Sequence, residues 1–113
     1  MNEFTVYGKV QGKGRPRFGR GHTYTPQKTV DYENLIRKSF LTSIRKKHLA
    51  EVGIKIEIYC KKLISKPDID NVCKGILDSL NGLAYNDDSQ VIKLEVEKFI
   101  SYEEKLIIRT YDI

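Results

Sequence analysis

The sequence predicts an α+β fold: a single small domain over residues 1–113, in which two helices pack on one mixed sheet. Three observations predict it. Apolar residues alternate with polar ones in two segments, two more segments are short and apolar, and in two others apolar residues recur at helical spacing. The segments follow one another in the order β-α-β-α-β-β, which is typical of a sheet covered by helices. The third observation is size, because 113 residues and 13.1 kDa fit one domain.

The N-terminal segment is predicted to be a strand followed by a loop. Residues 3–10 alternate between apolar and polar side chains, as a strand with one buried face does. Residues 11–24 contain glycines and Pro16, which interrupt regular structure. Their basic side chains occur without one acid, so we interpret the segment as a basic loop, although a passive flexible loop is about as good an interpretation. Its cations are Lys13, Arg15, Arg17 and Arg20.

Two helices are predicted from caps and apolar spacing. Thr25-Pro26 is typical of a helix start, and from there to about His48 apolar residues recur every four positions. These residues are Tyr32, Ile36, Phe40 and Ile44, with Leu35 and Leu41 beside them. The second helix is predicted over residues 69–81, where one apolar stripe follows the 3-4-3-4 spacing and Asn81-Gly82 ends it.

Three further strands complete the predicted sheet. Residues 52–61 alternate cleanly, with Cys60 on the apolar face. Residues 91–100 and 104–111 are two more apolar strands, and the short connection at Ser101-Tyr102-Glu103 predicts that they form a hairpin.

Charge is distributed unevenly along the chain. The net charge is +5 and the pI about 9.2, but residues 1–67 carry +10 and residues 68–113 carry −5. A basic surface attracts a polyanion such as nucleic acid. The acidic cluster opposes that attraction, and a bound cation would explain it.

Several protein classes are not expected from this composition. No apolar run approaches the roughly 20 residues that cross a bilayer, and MNEFTVYGKV lacks the pattern of a signal peptide. Two cysteines, Cys60 and Cys73, are too few for a disulfide framework and occupy apolar positions typical of a core. We therefore expect a soluble protein of the reducing cytoplasm, with no membrane partner.

The acidic residues concentrate in the second predicted helix and the loop after it. At about 100° per residue, Asp70, Lys74 and Asp78 fall on one polar arc opposite the buried stripe. Asp68 lies at the helix start, and the Asp87-Asp88 pair follows the helix, where the loop can fold back beside it. Carboxylates from two segments are a ligand set suited to Mg²⁺, and with a lysine they suit phosphodiester cleavage.

Each of these residues also has a structural interpretation. Asp68 and Asp70 could cap a helix and interact with its dipole. Asp87-Asp88 could be turn residues that bond their own backbone. Lys74 could be an i,i+4 partner of acids on the same helix.

The two acidic segments together resemble a known family. D-I-D-N-V-C-K-G-I-L-D-S-L at residues 68–80, followed by Y-N-D-D-S-Q-V at residues 85–91, is similar to the RusA family of Holliday-junction resolvases. The resemblance implies an α+β homodimer, often encoded by prophages, that acts in DNA recombination and repair. It further implies binding of branched DNA, namely four-way junctions, and symmetric nicking of two opposing strands with Mg²⁺ or Mn²⁺.

The resemblance also implies roles for individual residues. The three essential aspartates of the family match Asp68, Asp70 and Asp88, which would be catalytic and metal-binding, and its catalytic lysine matches Lys74. Asp87 would be an alternative ligand or a neighbour of the ligands.

Basic residues are expected to contact DNA phosphates. Some family members have a basic residue directly before the first aspartate, where this sequence has Pro67, with Lys66 one position earlier. The expected DNA contacts are Lys13, Arg15, Arg17, Arg20 and Lys66.

The function expected from the sequence is therefore a Mg²⁺-dependent, junction-resolving endodeoxyribonuclease. Two alternatives stay open: a basic nucleic-acid-binding module without catalysis, and a metal-dependent nuclease that cuts other branched or duplex DNA. Junction selectivity depends on dimer geometry, which the sequence does not give.

Overall fold

Four long strands form one mixed sheet in a computed structural model, which describes residues 2–14, 17–19, 21–43, 46–64 and 66–113. The elements in chain order are β1 (Asn2–Tyr7), β2 (Arg17–Gly19), β3 (His22–Tyr24), α1 (Gln27–Ser43), β4 (Val52–Cys60), α2 (Ile69–Leu80), β5 (Val91–Ile100) and β6 (Lys105–Asp112). Both helices pack on the same face of the sheet and share one core with it. The predicted α+β class and the predicted mixed sheet with two helices are confirmed.

The sheet has the strand order β1-β6-β4-β5, so the predicted hairpin of the last two strands is wrong. β6 pairs antiparallel with both β1 and β4, whereas β5 pairs parallel with the other side of β4. Ser101 N donates to the Cys60 carbonyl at 2.9 Å, so the connection passes the end of β4 instead of turning tightly. Burial explains the arrangement: Leu106, Ile108 and Thr110 are fully covered, which favours a central position for β6.

A second, two-stranded sheet lies within the segment predicted as a loop. β2 and β3 pair antiparallel, with Phe18 opposite Thr23, and Gly21 next to them has φ +81°. The prediction of an uninterrupted loop over residues 11–24 is therefore wrong in this part. Strands of three residues are too short to show an alternating pattern.

α1 is shorter than predicted, ending at Ser43 and not at His48. Residues 44 and 45, which include the predicted apolar Ile44, lie outside the described part of the chain. His48 is buried instead, and its ring contacts β6: Nδ1 lies 2.6 Å from Asp112 Oδ1, and Nε2 lies 2.9 Å from Thr110 Oγ1.

The predicted apolar faces make up most of the core. Buried as predicted are Tyr32, Ile36 and Phe40 of α1, Val72, Ile76 and Leu80 of α2, and Val52, Ile54, Ile56 and Ile58 of β4. Cys60 and Cys73 are buried and free, as predicted for core residues. Leu35 and Leu41, by contrast, lie on the exposed side of α1. No helix in the described ranges is long and apolar enough to cross a membrane.

Candidate functional site

A cleft of about 570 Å³ lies between α2, β5 and the turn that precedes β5. Its charged lining comes from Asp70, Lys74 and Asp78 of α2 and from Asp88 of the turn. Its apolar lining consists of Ile69, Cys73, Leu77, Leu94 and Val96. The parallel pairing of β4 with β5 returns the chain beside α2, which brings Asp88 to the same cleft as Asp70. We refer to it as the acidic cleft.

Asp68 lies just outside the acidic cleft, at the N-cap position of α2. Its side chain makes no capping hydrogen bond, so capping does not account for an acid at this position. Both carboxylate oxygens instead accept from Lys66 Nζ, at 3.1 and 3.0 Å. Both partners are exposed, and exposed pairs of this kind hold a side chain only weakly.

The two adjacent aspartates of the turn have different environments. Asp87 accepts from Ser89 N at 3.0 Å, and Gln90 Oε1 accepts from the backbone N–H of Asp87 at 3.1 Å, which completes a capping box. Hydrogen bonds from Ser89 hold the pKa of Asp87 below its usual value. The turn interpretation therefore describes Asp87, whereas Asp88 lines the cleft.

Gln90 also holds this turn against the rest of the fold. Its Nε2 donates to the carbonyl of His48 at 3.1 Å and to that of Ala50 at 2.9 Å. His48 N in turn donates to the Ala84 carbonyl at 2.8 Å. The position of Asp88 thus depends on the segment that leads into β4.

Lys74 is exposed at the centre of the polar arc. Across the described ranges it has no ion pair, so the i,i+4 interpretation does not describe its ammonium group. An uncompensated lysine beside two carboxylates is available to an anionic substrate.

Lys13 of the basic loop is held between the two helices. Its Nζ lies 2.9 Å from Glu33 Oε2 on α1 and 2.8 Å from Asp78 Oδ2 on α2, and its side chain is 23% exposed. Burial lowers the pKa of Lys13, but the hydrogen bonds that its ammonium group donates to Asp78 and Glu33, together with their negative charges, outweigh burial and raise the pKa above 10.5. The two carboxylates already engage this ammonium group, so we do not include it among the proposed phosphate contacts.

The backbone of the basic loop is also fixed to α2. Lys13 N donates to the Asn71 carbonyl at 3.0 Å. A Cβ on Gly12 would lie 2.8 Å from Pro67 Cβ and 2.9 Å from Asn71 Cβ, so only glycine allows this close approach. Sequence reasoning missed the contacts of Lys13 with α1 and α2 because its partners are distant in sequence.

The other predicted DNA contacts are described only in part. Arg15 and Arg20 lie outside the described residues, and Arg17 is described through its backbone in β2. Lys66 is exposed beside Asp68, directly before Pro67.

Comparison with known families identifies the family to which this chain belongs. The model of the family described as Endodeoxyribonuclease RusA matches residues 7–111, nearly the whole chain. The chain belongs to the RusA family. It is also similar to the uncharacterized protein YqaN of Bacillus subtilis (strain 168), with 31% identity over 142 alignment positions that cover 98% of this chain and 96% of that protein. The family resemblance inferred from residues 68–91 is thereby confirmed.

RusA proteins are endodeoxyribonucleases, hence hydrolases, and act on branched DNA junctions. The acidic cleft contains groups suited to that chemistry. Asp70 and Asp88 offer hard oxygen ligands from two segments, and Mg²⁺ is commonly held by one or two carboxylates together with water. Among the described residues, however, no three His, Cys, Asp or Glu side chains are close enough to hold an ion. The donor set fits a metal through Asp70 and Asp88, while Asp68 points to Lys66.

Proposed function

We propose that this protein is a divalent-metal-dependent endonuclease that resolves four-way DNA junctions by symmetric paired nicks, in DNA recombination and repair. One observation carries the proposal: Asp70, Asp88 and an unpaired Lys74 share the acidic cleft in a member of the RusA family.

In the proposed site, Asp70 and Asp88 hold Mg²⁺ or Mn²⁺, and Asp68 is the third ligand. A bound divalent ion supplies a hydroxide nucleophile near neutral pH and stabilises negative charge on the phosphate. The ion pair of Asp68 with Lys66 is exposed and therefore weak, so it does not hold Asp68 away from an ion. Lys74 faces the scissile phosphate and offsets the charge that develops during cleavage.

A non-catalytic DNA-binding module is a weaker candidate. In such a module the aspartates would serve only as helix caps and turn residues. Asp87 does have a capping hydrogen bond, but Asp68 at the N-cap of α2 has none. An acidic cleft repels DNA phosphates unless a cation occupies it, which is a cost without benefit for a protein that only binds.

Two symmetric nicks call for two matched sites, so we propose a homodimer. The support is the edge strand β5, which exposes apolar side chains: Ile92 is 59% exposed and Ile100 is 69% exposed. As an edge strand, β5 also presents backbone groups with which a strand of a second copy can pair. Light scattering at micromolar concentration should give about twice 13.1 kDa, and a monomer that still makes paired nicks would contradict the dimer.

A strand-specific nicking assay tests the activity. A four-way junction and a linear duplex of the same sequence are each incubated with Mg²⁺ or with EDTA, and every strand is labelled in turn. We expect paired nicks in the junction with Mg²⁺ only. Equal cutting of the duplex would favour a less selective nuclease, and junction binding without cutting would favour the binding module.

A further inference from the structure

A second cleft, of about 490 Å³, lies on the other side of the α2 start. It is formed by three segments that are distant in the chain: residues 9–12 with Gly14, Pro26 with the beginning of α1, and Lys66-Pro67. Each segment contributes one lysine, and the lining has no acidic residue. The lysines are Lys9, Lys28 and Lys66. We refer to it as the basic cleft.

The lysines of the basic cleft are largely uncompensated. Lys9 and Lys28 are exposed, and neither has an ion pair in the part of the chain that the structure describes. Lys66 pairs with Asp68, which is itself exposed. Three ammonium groups around one depression give it a positive potential that water and salt only partly screen.

The walls of the basic cleft are preformed. Gly14 N donates to Thr29 Oγ1 at 2.9 Å, which ties the loop to α1. A Cβ on Gly14 would lie 2.6 Å from the same oxygen, so the contact requires glycine. Together with the close packing of Gly12 on Pro67, this fixes both sides of the cleft. A ligand therefore meets an ordered surface, and little entropy is lost in shaping it.

The two clefts adjoin each other along the chain. Lys66-Pro67 lines the basic cleft, Ile69-Asp70 lines the acidic cleft, and Asp68 alone separates the two pairs. Lys66 and Pro67 precede α2, and a chain spans at most about 3.6 Å per residue, so Lys66 and Asp70 lie within about 14 Å of each other, the scale of a few nucleotide steps.

We propose that the basic cleft binds a backbone phosphate of the strand that is cut, a few nucleotides from the scissile bond. The proposal rests on the proposed nuclease function and adds a binding site to it. Lysines bind phosphate as point charges and tolerate any base sequence, which suits backbone contacts. By holding the strand here, the cleft positions the scissile phosphate at Asp70, Asp88 and Lys74.

The first experiment measures junction binding without metal as a function of salt. The variant Lys9→Ala/Lys28→Ala is compared with Lys55→Ala/Lys61→Ala, which removes the same charge from two other exposed lysines. We expect the log–log salt slope to become shallower by about 1–2 units in the first variant, since each phosphate contact contributes roughly 0.9. The control variant should keep the wild-type slope. Equal slopes for the two variants would overturn the proposal.

The second experiment locates the phosphate. Junctions carry one neutral methylphosphonate, moved one position at a time along the cut strand. Wild-type binding should weaken at one or two positions within a few nucleotides of the cut, and the Lys9→Ala/Lys28→Ala variant should be insensitive there. If both proteins respond alike at every position, the cleft does not bind that phosphate.

The readouts separate this proposal from the nuclease function. The first experiment measures only binding without metal, so it remains decisive even if no DNA is cut, whereas the second also uses the position of the cut. Failure of wild-type nicking would reject the proposed function alone, whereas normal nicking with an unchanged salt slope in the lysine variant would reject the basic cleft alone.

Discussion

The two clefts beside the α2 start differ in the sign of their charge and in how that charge is held. In the acidic cleft, Asp70 and Lys74 lie on a regular helix and Asp88 in a turn supported by Gln90. In the basic cleft, flexible lysines project from three separate segments. Metal ligands need fixed positions, whereas phosphate contacts tolerate movement. We therefore expect that cutting and binding can be changed independently in this protein.

Lys13 is the element common to both clefts. Its neighbours Gly12 and Gly14 line the basic cleft, while its ammonium group binds Asp78 of the acidic cleft. It compensates the charge of Asp78, whereas Asp70 and Asp88 have no ion pair among the residues that the structure describes. Variants confined to one cleft test its role separately, whereas Lys13 variants change both clefts at once.

The largest expected effect belongs to Asp70→Asn. The side chain keeps its size but loses the charge that holds a divalent cation, so nicking should fall by several orders of magnitude. Metal-free junction binding should be equal or tighter, because one negative charge near the DNA is removed. Nicking rate and metal-free affinity are measured on the same four-way junction.

A matched control for Asp70→Asn is Asp31→Asn. Asp31 is exposed on α1, where it accepts from Gln27 Nε2, and it lines neither cleft. Asp88→Asn and Asp68→Asn should behave like Asp70→Asn. Normal nicking by Asp70→Asn would reject its assignment as a ligand.

Lys74→Ala should also slow nicking, but its effect on DNA binding should differ from that of Asp70→Asn. Loss of a cation that faces the scissile phosphate should slow nicking by about 100-fold. Metal-free binding should weaken or stay level, opposite in sign to Asp70→Asn, because a positive charge is lost. The sign of the binding change is the informative readout, and tighter binding would show that Lys74 does not face DNA.

Lys13→Met should affect stability and both clefts together. The change leaves Glu33 and Asp78 without their partner, and Glu33 is only 12% exposed. We expect the free energy of unfolding to fall by about 1–3 kcal/mol, less than for a fully buried pair. Urea unfolding measures it. Adding Glu33→Gln should restore part of the loss, since it removes one of the unpaired charges; no restoration would mean that the contact contributes by packing alone.

The smallest effect is expected for Asp87→Asn. Asparagine caps about as well as aspartate, so nicking should be unchanged, in contrast to Asp88→Asn. The folded-state pKa of Asp87 is lowered from 3.8 by hydrogen bonds from Ser89. Its stabilising contribution is therefore present above pH 3.8 and is lost as pH falls through the lowered pKa. Between neutral pH and pH 3, the midpoint temperature of thermal unfolding should fall less steeply in Asp87→Asn than in the wild type. An identical pH profile of the two proteins would contradict this.

Individual strands and helices can be predicted from the sequence, because they depend on the pattern of neighbouring residues. The alternation of residues 52–60 predicts β4, and the apolar stripe of α2 places Asp70 and Lys74 on its outer arc. Strand pairing is different, because no local feature of residues 101–104 shows that β4 separates β5 from β6.

The same limit applies to the candidate site. The motif identifies Asp68, Asp70 and Asp88 equally, but the structure places two of them in one cleft and pairs the third with Lys66. Lys13 resembles any other cation of a basic loop until its partners, 20 and 65 positions away, are known. The sequence shows which residues are charged, but it does not show which charged partner each of them contacts in the folded protein.

The central position of β6 has a consequence for how the enzyme is made. β1 joins the sheet only through β6, and the ring of His48, whose carbonyl supports the turn of Asp88 through Gln90, is held by Thr110 and Asp112 of β6. A nascent chain that has not yet released residues 105–112 from the ribosome therefore has neither the complete four-stranded sheet nor the contacts of β6 with the His48 ring. We therefore expect the growing polypeptide to gain its activity on DNA only after this strand is inserted.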